Sequence, residues 1–87
     1  MTAHEADLGA LATALAKALV EQPEEVEVDV YPEGHDVEIE LYVADRDLGR
    51  VIGRNGRTAR SLRTILSAAA QKQGRRCLLD IVEEDED

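Results

Sequence analysis

The chain predicts an α+β two-layer sandwich, with three helices packed on one face of a three-stranded mixed sheet. Two runs with period-two apolar spacing, Val26 to Val30 and Val37 to Val43, read as paired strands. Two stretches with helical spacing, His4 to Val20 and Arg57 to about Gln73, flank them, and a short apolar strand, Arg76 to Val82, closes the order. Strands with one apolar face and helices with apolar stripes bury both only by stacking on each other.

The first helix places Leu8, Leu11, Leu15 and Leu19 at helical spacing with alanines between them, and alanine favours helix intrinsically. Gln22-Pro23 ends it. Val26, Val28 and Val30 then alternate with Glu25, Glu27, Asp29 and Tyr31, the pattern of a half-buried strand. Pro32-Glu33-Gly34-His35 is the expected turn. The second strand sets Val37, Ile39, Leu41 and Val43 on one face, with Glu38, Glu40 and Tyr42 on the other, to complete an antiparallel hairpin. Asp45 is the expected N-cap of a short helix from Arg46 to about Ile52. The turn from Gly53 to Gly56 ends that helix. In the long helix that follows, Ala59, Leu62, Ile65, Leu66 and Ala69 face inward and Arg57, Arg60 and Thr64 outward, with Gly74 as the residue past its end. Residues 1–82 are expected to form one domain, and Glu83 to Asp87 a disordered, self-repelling acidic tail.

Eighty-seven residues leave room for one small core, carried by aliphatic side chains because Phe and Trp are absent. No apolar run is long enough to span a membrane and the N-terminus lacks a signal-peptide pattern, so a cytoplasmic location is the default expectation. The single cysteine, Cys77, sits in an apolar run and reads as a buried, inert thiol. The net charge is −9, yet nine of the ten basic residues fall between Arg46 and Arg76, where Asp47 is the one acid. That segment carries +8 and the remainder −17. Nucleic acid would be steered to one side of such a body only.

The stretch Val51-Ile52-Gly53-Arg54-Asn55-Gly56-Arg57 carries the chemistry. Two glycines at this spacing allow a tight turn whose N–H groups can face an anion with no Cβ in the way. Arg54 and Arg57 supply charge for a phosphate, and the N-terminus of the next helix adds its dipole. The turn reads as a clamp for the phosphate backbone of single-stranded nucleic acid.

These residues resemble the signature of KH domains, in which a G-x-x-G loop joins two helices. The element order α-β-β-α-α-β resembles the type II version of that fold, over about Leu8 to Val82. The fuller string Gly49-Arg50-Val51-Ile52-Gly53-Arg54-Asn55-Gly56-Arg57-Thr58-Ala59 is similar to the small single-KH bacterial proteins of the KhpA family. The resemblance implies a non-catalytic RNA-binding protein of the RNA-chaperone type that holds about four nucleotides of single-stranded RNA, or of DNA. It implies a loop clamp of Gly53, Arg54, Asn55 and Gly56. Gly49, Arg50 and Ile52 would lie on the first helix beside an apolar groove for the bases, and Arg57, Thr58 and Arg60 on the second. It also implies pairing with a larger KH protein, KhpB, or with a second copy, and a link to cell shape and cell-wall organisation through control of elongation and division.

Other residue types narrow the reading. Arg63, Lys72, Arg75 and Arg76 read as structural, Lys72 and Arg75 lying where a helix C-terminus favours cations. His4 and His35 have no cysteine nearby and no metal-site spacing, so neither metal nor cofactor is expected. No catalytic triad can be assembled, and the turn lacks the phosphate-loop pattern of nucleotide-binding enzymes. The alternation puts Tyr31 and Tyr42, the only aromatics, on the outer sheet face, away from the loop. Two functions fit: a single-strand RNA clamp, and a protein-interaction module in which RNA contact is secondary. The stripe on the first helix could pack on the sheet or form a dimer face, and the acidic tail could compete with RNA for the arginines.

Overall fold

A computed structural model describes residues 2–83, and the acidic tail expected over Glu83 to Asp87 lies outside them except for Glu83. The elements are α1 (Ala3–Leu19), β1 (Glu27–Glu33), β2 (Asp36–Tyr42), α2 (Leu48–Ile52), α3 (Arg57–Lys72) and β3 (Arg76–Ile81), in the α-β-β-α-α-β order predicted. Single 3-10 turns at Pro23–Glu25, Asp45–Asp47 and Arg54–Gly56 punctuate them. The sheet order is β1-β2-β3, with β1 antiparallel and β3 parallel to β2. This is the mixed three-stranded sheet of an α+β sandwich.

The alternation written into the strands sorts them between the two faces. Val30, Ile39 and Leu79 stand in register across the sheet, as do Val28, Leu41 and Ile81. Ile39 and Leu41 are buried beneath the helices together with Val37, Cys77 and Leu79. Burial also pushes the Cys77 thiol up from its ordinary value, in keeping with an inert core residue.

Several local expectations are corrected. The hairpin turn is only Gly34-His35, because β1 continues through Pro32 and Glu33, which pair with Val37 and Asp36. Proline is tolerated there since β1 is an edge strand and needs no outward donor. Helix α1 starts earlier than His4, through a capping box: the Thr2 N–H donates to Glu5 Oε1 at 2.8 Å and the Glu5 N–H to Thr2 Oγ1 at 3.2 Å.

The buried stripe of α1 is Glu5, Leu8, Gly9, Ala12 and Ala16, rotated from the expected leucine stripe. A Cβ on Gly9 would lie 2.8 Å from Val30 Cγ2, so the helix approaches β1 too closely for large side chains along its centre line. Leu11 and Leu15 flank the contact half-buried, and Leu19 is exposed. On α3 the buried stripe is Ala59, Leu62, Leu66 and Ala70, and Ile65 faces solvent at 44 % exposure. Ile65 stands roughly 100° round the helix from the centre of that stripe, beyond reach of the sheet.

Arg75 and Arg76 take structural roles, as expected, through particular partners. Arg75 forms an ion pair with the buried Glu5 carboxylate and donates to the carbonyls of Gly34 and Asp36. It thus ties the end of α3 to the start of α1 and to the hairpin. Arg76 grips Asp36 with two hydrogen bonds, at 3.1 and 2.8 Å. The helix end at Gln73 is closed by the Arg75 N–H to Ala70 O and the Gly74 N–H to Gln71 O, both at 2.9 Å.

Candidate nucleic-acid interface

Asp45 does not cap α2 as expected: its side chain makes no capping hydrogen bond, and it opens a 3-10 turn after Ala44. The residue that fixes the start of α2 is Asp47, whose side chain has no exposed surface. Asp47 Oδ1 accepts from the Glu21 N–H and Oδ2 from the Gln22 N–H, both at 3.1 Å. A carboxylate before α2 thereby holds the chain that leaves α1. Its signal in the sequence was its isolation among nine basic residues.

Helix α2 is one and a half turns long and ends at Gly53, whose N–H donates to Gly49 O at 2.9 Å. Gly53 adopts φ 79°, ψ 169°, a region open to glycine alone. Asn55 (φ 57°, ψ 26°) and Gly56 (φ 72°, ψ 16°) are left-handed. The Gly56 N–H returns to Gly53 O at 3.1 Å, closing the turn. A Cβ on Gly53 would lie 2.8 Å from the backbone N of Thr58, whereas one on Gly56 or Gly49 would meet nothing. The first glycine therefore packs against the start of α3, and the second turns the chain in open space.

Helix α3 begins at Gly56 with no side-chain cap and no acid in its first turn. Arg54, Arg57 and Arg60 are all exposed around that end, and Asn55 projects with them. Thr58 and Ile52 are half-buried, and Gly49 and Arg50 are exposed on α2. Most helices place anions near the positive end of their dipole. Here exposed cations stand there instead, so the end of the dipole and the side chains around it carry the same sign.

Arg50 does not stand free with the others. Its guanidinium pairs with Glu21 at 2.9 Å and, through Nε, with Asp47 at 3.5 Å. Among the described residues, Arg46, Arg54, Arg57, Arg60, Arg63 and Lys72 have no carboxylate partner. Arg63, read as structural, donates through Nε to Leu79 O at 3.3 Å and so covers part of the open edge of β3. With Arg60 it also lines a shallow depression of about 390 Å³ along the outer side of α3, which extends the basic surface beyond the loop. No described helix is long and apolar enough to cross a membrane.

Comparison with known proteins bears on this geometry. The KhpA/KhpB KH domain model matches residues 9–81. The chain is 49 % identical over 69 residues to RNA-binding protein KhpA of Halalkalibacterium halodurans, covering 79 % of this chain and 91 % of that one. It is 43 % identical over 75 residues to RNA-binding protein KhpA of Caldanaerobacter subterraneus subsp. tengcongensis, covering 86 % and 100 %. The KhpA of Treponema pallidum is 49 % identical over 70 residues, covering 79 % and 86 %. No solved structure matches the chain significantly. With its element order, its glycine turn and these relatives in agreement, the chain belongs to the KhpA/KhpB family of KH domains.

Proposed function

We propose that this protein binds single-stranded RNA, with the Gly53–Gly56 turn against the sugar-phosphate backbone of about four nucleotides. The KH domain is a non-catalytic fold, and the relatives are named for RNA binding, not for a reaction. The single observation that carries the proposal is the N-terminus of α3, which lacks both a side-chain cap and an acid and is ringed by Arg54, Arg57 and Arg60. An arrangement that opposes the helix dipole costs stability locally, and a bound phosphate reverses that cost. Arg54 and Arg57 neutralise phosphates, and Ile52 offers apolar surface to a base. Gly49 leaves the flank of α2 open beside it, and Thr58 supports Gly53 from beneath. Recognition without aromatic stacking at this site favours backbone contacts and loose sequence preference.

The test is binding of a labelled random single-stranded RNA pool, with an equivalent DNA pool beside it, to the wild type and to Arg54→Asp/Asn55→Asp. Binding that falls with salt and is lost in the variant, with an unchanged circular dichroism spectrum, is the expected result. Equal binding by the two proteins would overturn the loop as the site.

A second reading is favoured by the stripe of Leu11, Leu15 and Leu19, half-buried or exposed on one side of α1. In it the domain works chiefly by pairing, with a second copy or with a larger KH protein of the KhpB kind, and RNA contact is secondary. Two weakly binding loops held together gain affinity through effective concentration, so pairing would also serve the first reading. Sedimentation velocity of the isolated chain tests it: a strict monomer that binds RNA well removes pairing with a second copy and counts against the second reading.

A further inference from the structure

The sheet face turned away from the helices presents like charges in register. Asp29, Glu40 and Asp80 form one row across the three strands. Carboxylate oxygens of Glu38, Glu40 and Asp80 all lie within 4.8 Å of one another. Like charges directly opposite each other destabilise a sheet, and the usual remedy is alternation of sign. Among the described residues, the only ion pair on this face, Arg76 with Asp36, stands at its far end. The field is felt by both tyrosines: the Tyr42 phenol, donating to Glu40 at 2.8 Å, is pushed up to about 12, and Tyr31 is raised by Asp29 and Glu40.

Apolar surface lies within the same field. In the neighbouring row, Tyr31 and Leu78 flank Glu38, 48 % and 45 % exposed. With Pro32 they line an open groove of about 430 Å³. A lone cation would answer the carboxylates and leave these two side chains without a role. RNA phosphates are repelled from the face altogether. A partner complementary to both features carries positive charge and an apolar anchor together. Alternate residues of an extended chain lie about 7 Å apart on one side, the spacing of successive rows on the sheet.

We propose that this face docks a lysine- or arginine-rich protein segment in extended conformation, its basic residues over the carboxylate rows and one apolar side chain between Tyr31 and Leu78. The surface lies on the opposite side of the sheet from the helices that carry the Gly53–Gly56 turn, so such a segment and an RNA strand can be held at once. The domain would then join a single-stranded RNA to a basic protein. Peptide docking itself does not depend on RNA binding.

The test uses fluorescence anisotropy with a labelled peptide about ten residues long, with lysine at alternate positions and one central leucine. Two control peptides replace every lysine by glutamate, or the leucine by serine. The lysine peptide is expected to bind the full chain, to bind Glu38→Lys/Glu40→Lys about tenfold or more weakly, and to bind Leu78→Ser severalfold more weakly. The glutamate control should not bind, and the serine control should lose as much as Leu78→Ser does. Arg54→Asp/Asn55→Asp should bind the lysine peptide as the wild type does, which separates this surface from the RNA loop. The reversed pair sets lysines among the remaining carboxylates of the face, so its fold should survive. Should circular dichroism show otherwise, Glu38→Gln/Glu40→Gln replaces it, with weaker peptide binding again expected. Equal affinity for the charge-reversed or neutralised protein, no binding of the lysine peptide, or indifference to both leucine changes would overturn the proposal. The last result would mean a diffuse counter-ion field, or a cation site, in place of a docking surface.

Discussion

Asp47 and Gln22 are 25 positions apart in the chain, and the Asp47 Oδ2 accepts the Gln22 backbone N–H at 3.1 Å from a side chain with no solvent exposure. The neighbouring oxygen takes the Glu21 N–H, and the Arg50 guanidinium lies against both Glu21 and Asp47. One carboxylate thus sets where α2 begins relative to the end of α1. Since α2 is only five residues long, it also sets where Gly53 falls.

Removing that carboxylate takes the side-chain acceptor from two backbone donors at a part-buried site. Asp47→Ala should cost roughly 2–4 kcal/mol, since each unsatisfied buried donor costs about 1–3 kcal/mol. For a domain of this size the melting temperature should drop by about 10 °C or more. Asp47→Asn keeps one acceptor and should lose about half as much. Thermal unfolding followed by circular dichroism checks the order.

The two glycines of the turn should respond differently to a methyl group. Gly53→Ala forces a side chain onto φ 79° and against the Thr58 amide, at a cost of about 2 kcal/mol or more with distortion of the loop. Gly56→Ala meets no neighbour and bears only the left-handed penalty, about 1 kcal/mol. Urea unfolding of both variants, alongside RNA affinity, should rank Gly53→Ala as the more damaging in each measurement.

The arginines beside the turn are likewise unequal. Three or four neutralised phosphates on a single strand predict a slope of log affinity against log salt of about −2 to −3. Arg57→Ala should make that slope shallower by about 0.7, because its guanidinium has no carboxylate partner among the described residues. Arg50→Ala should leave the slope nearly unchanged, since Arg50 is already held by Glu21 and Asp47. A wild-type slope near zero would remove the clamp mechanism.

That contrast shows how far the sequence alone carries. Period-two and period-3.6 spacing locates β1, β2, α1 and α3, while α2 is bounded by the glycine turn after it and β3 by its short apolar run; the Gly53–Gly56 turn stands out because glycine spacing and basic flanks are local signals. Partners distant in the chain were not legible. Nothing near Arg50 announces Glu21, and nothing near Glu5 announces Arg75. The leucine stripe of α1 misled because the close approach of Gly9 to Val30 is a tertiary fact, which turns the small residues inward and leaves Leu19 outside. Ile65 misled for the same reason: apolar character is in the sequence, but the angle at which a helix meets the sheet is not.

Acid should destabilise the domain through Glu5 and Asp36. The Glu5 carboxyl is held below its ordinary value by the Thr2 N–H and by Arg75, and Asp36 by Arg76. Both charged forms are favoured in the fold, so their contribution is complete above the ordinary carboxylate range and is lost as pH falls through and below it. Arg75→Met should reduce this acid dependence without abolishing it, because the Thr2 hydrogen bond remains. Melting temperature measured across pH 7 to about 3 reads both effects.

Alkali acts through Tyr42. Its phenol donates to Glu40, which favours the neutral form and raises its titration to about 12 from the ordinary value of 10.0. The unfolded chain releases this proton first, so the associated stability is complete below pH 10 and disappears as pH rises toward 12. Tyrosinate absorbance should accordingly show Tyr42 ionising later than Tyr31, whose own shift is upward through Asp29 and Glu40 but involves no comparable hydrogen bond as its leading cause. Glu40→Gln removes one of the two carboxylates, with Asp29, that raise both phenols, and both should then titrate earlier, Tyr42 by the larger interval. If the two tyrosines kept their order and separation in Glu40→Gln, the field across the outer sheet face would have to come from the other carboxylates alone.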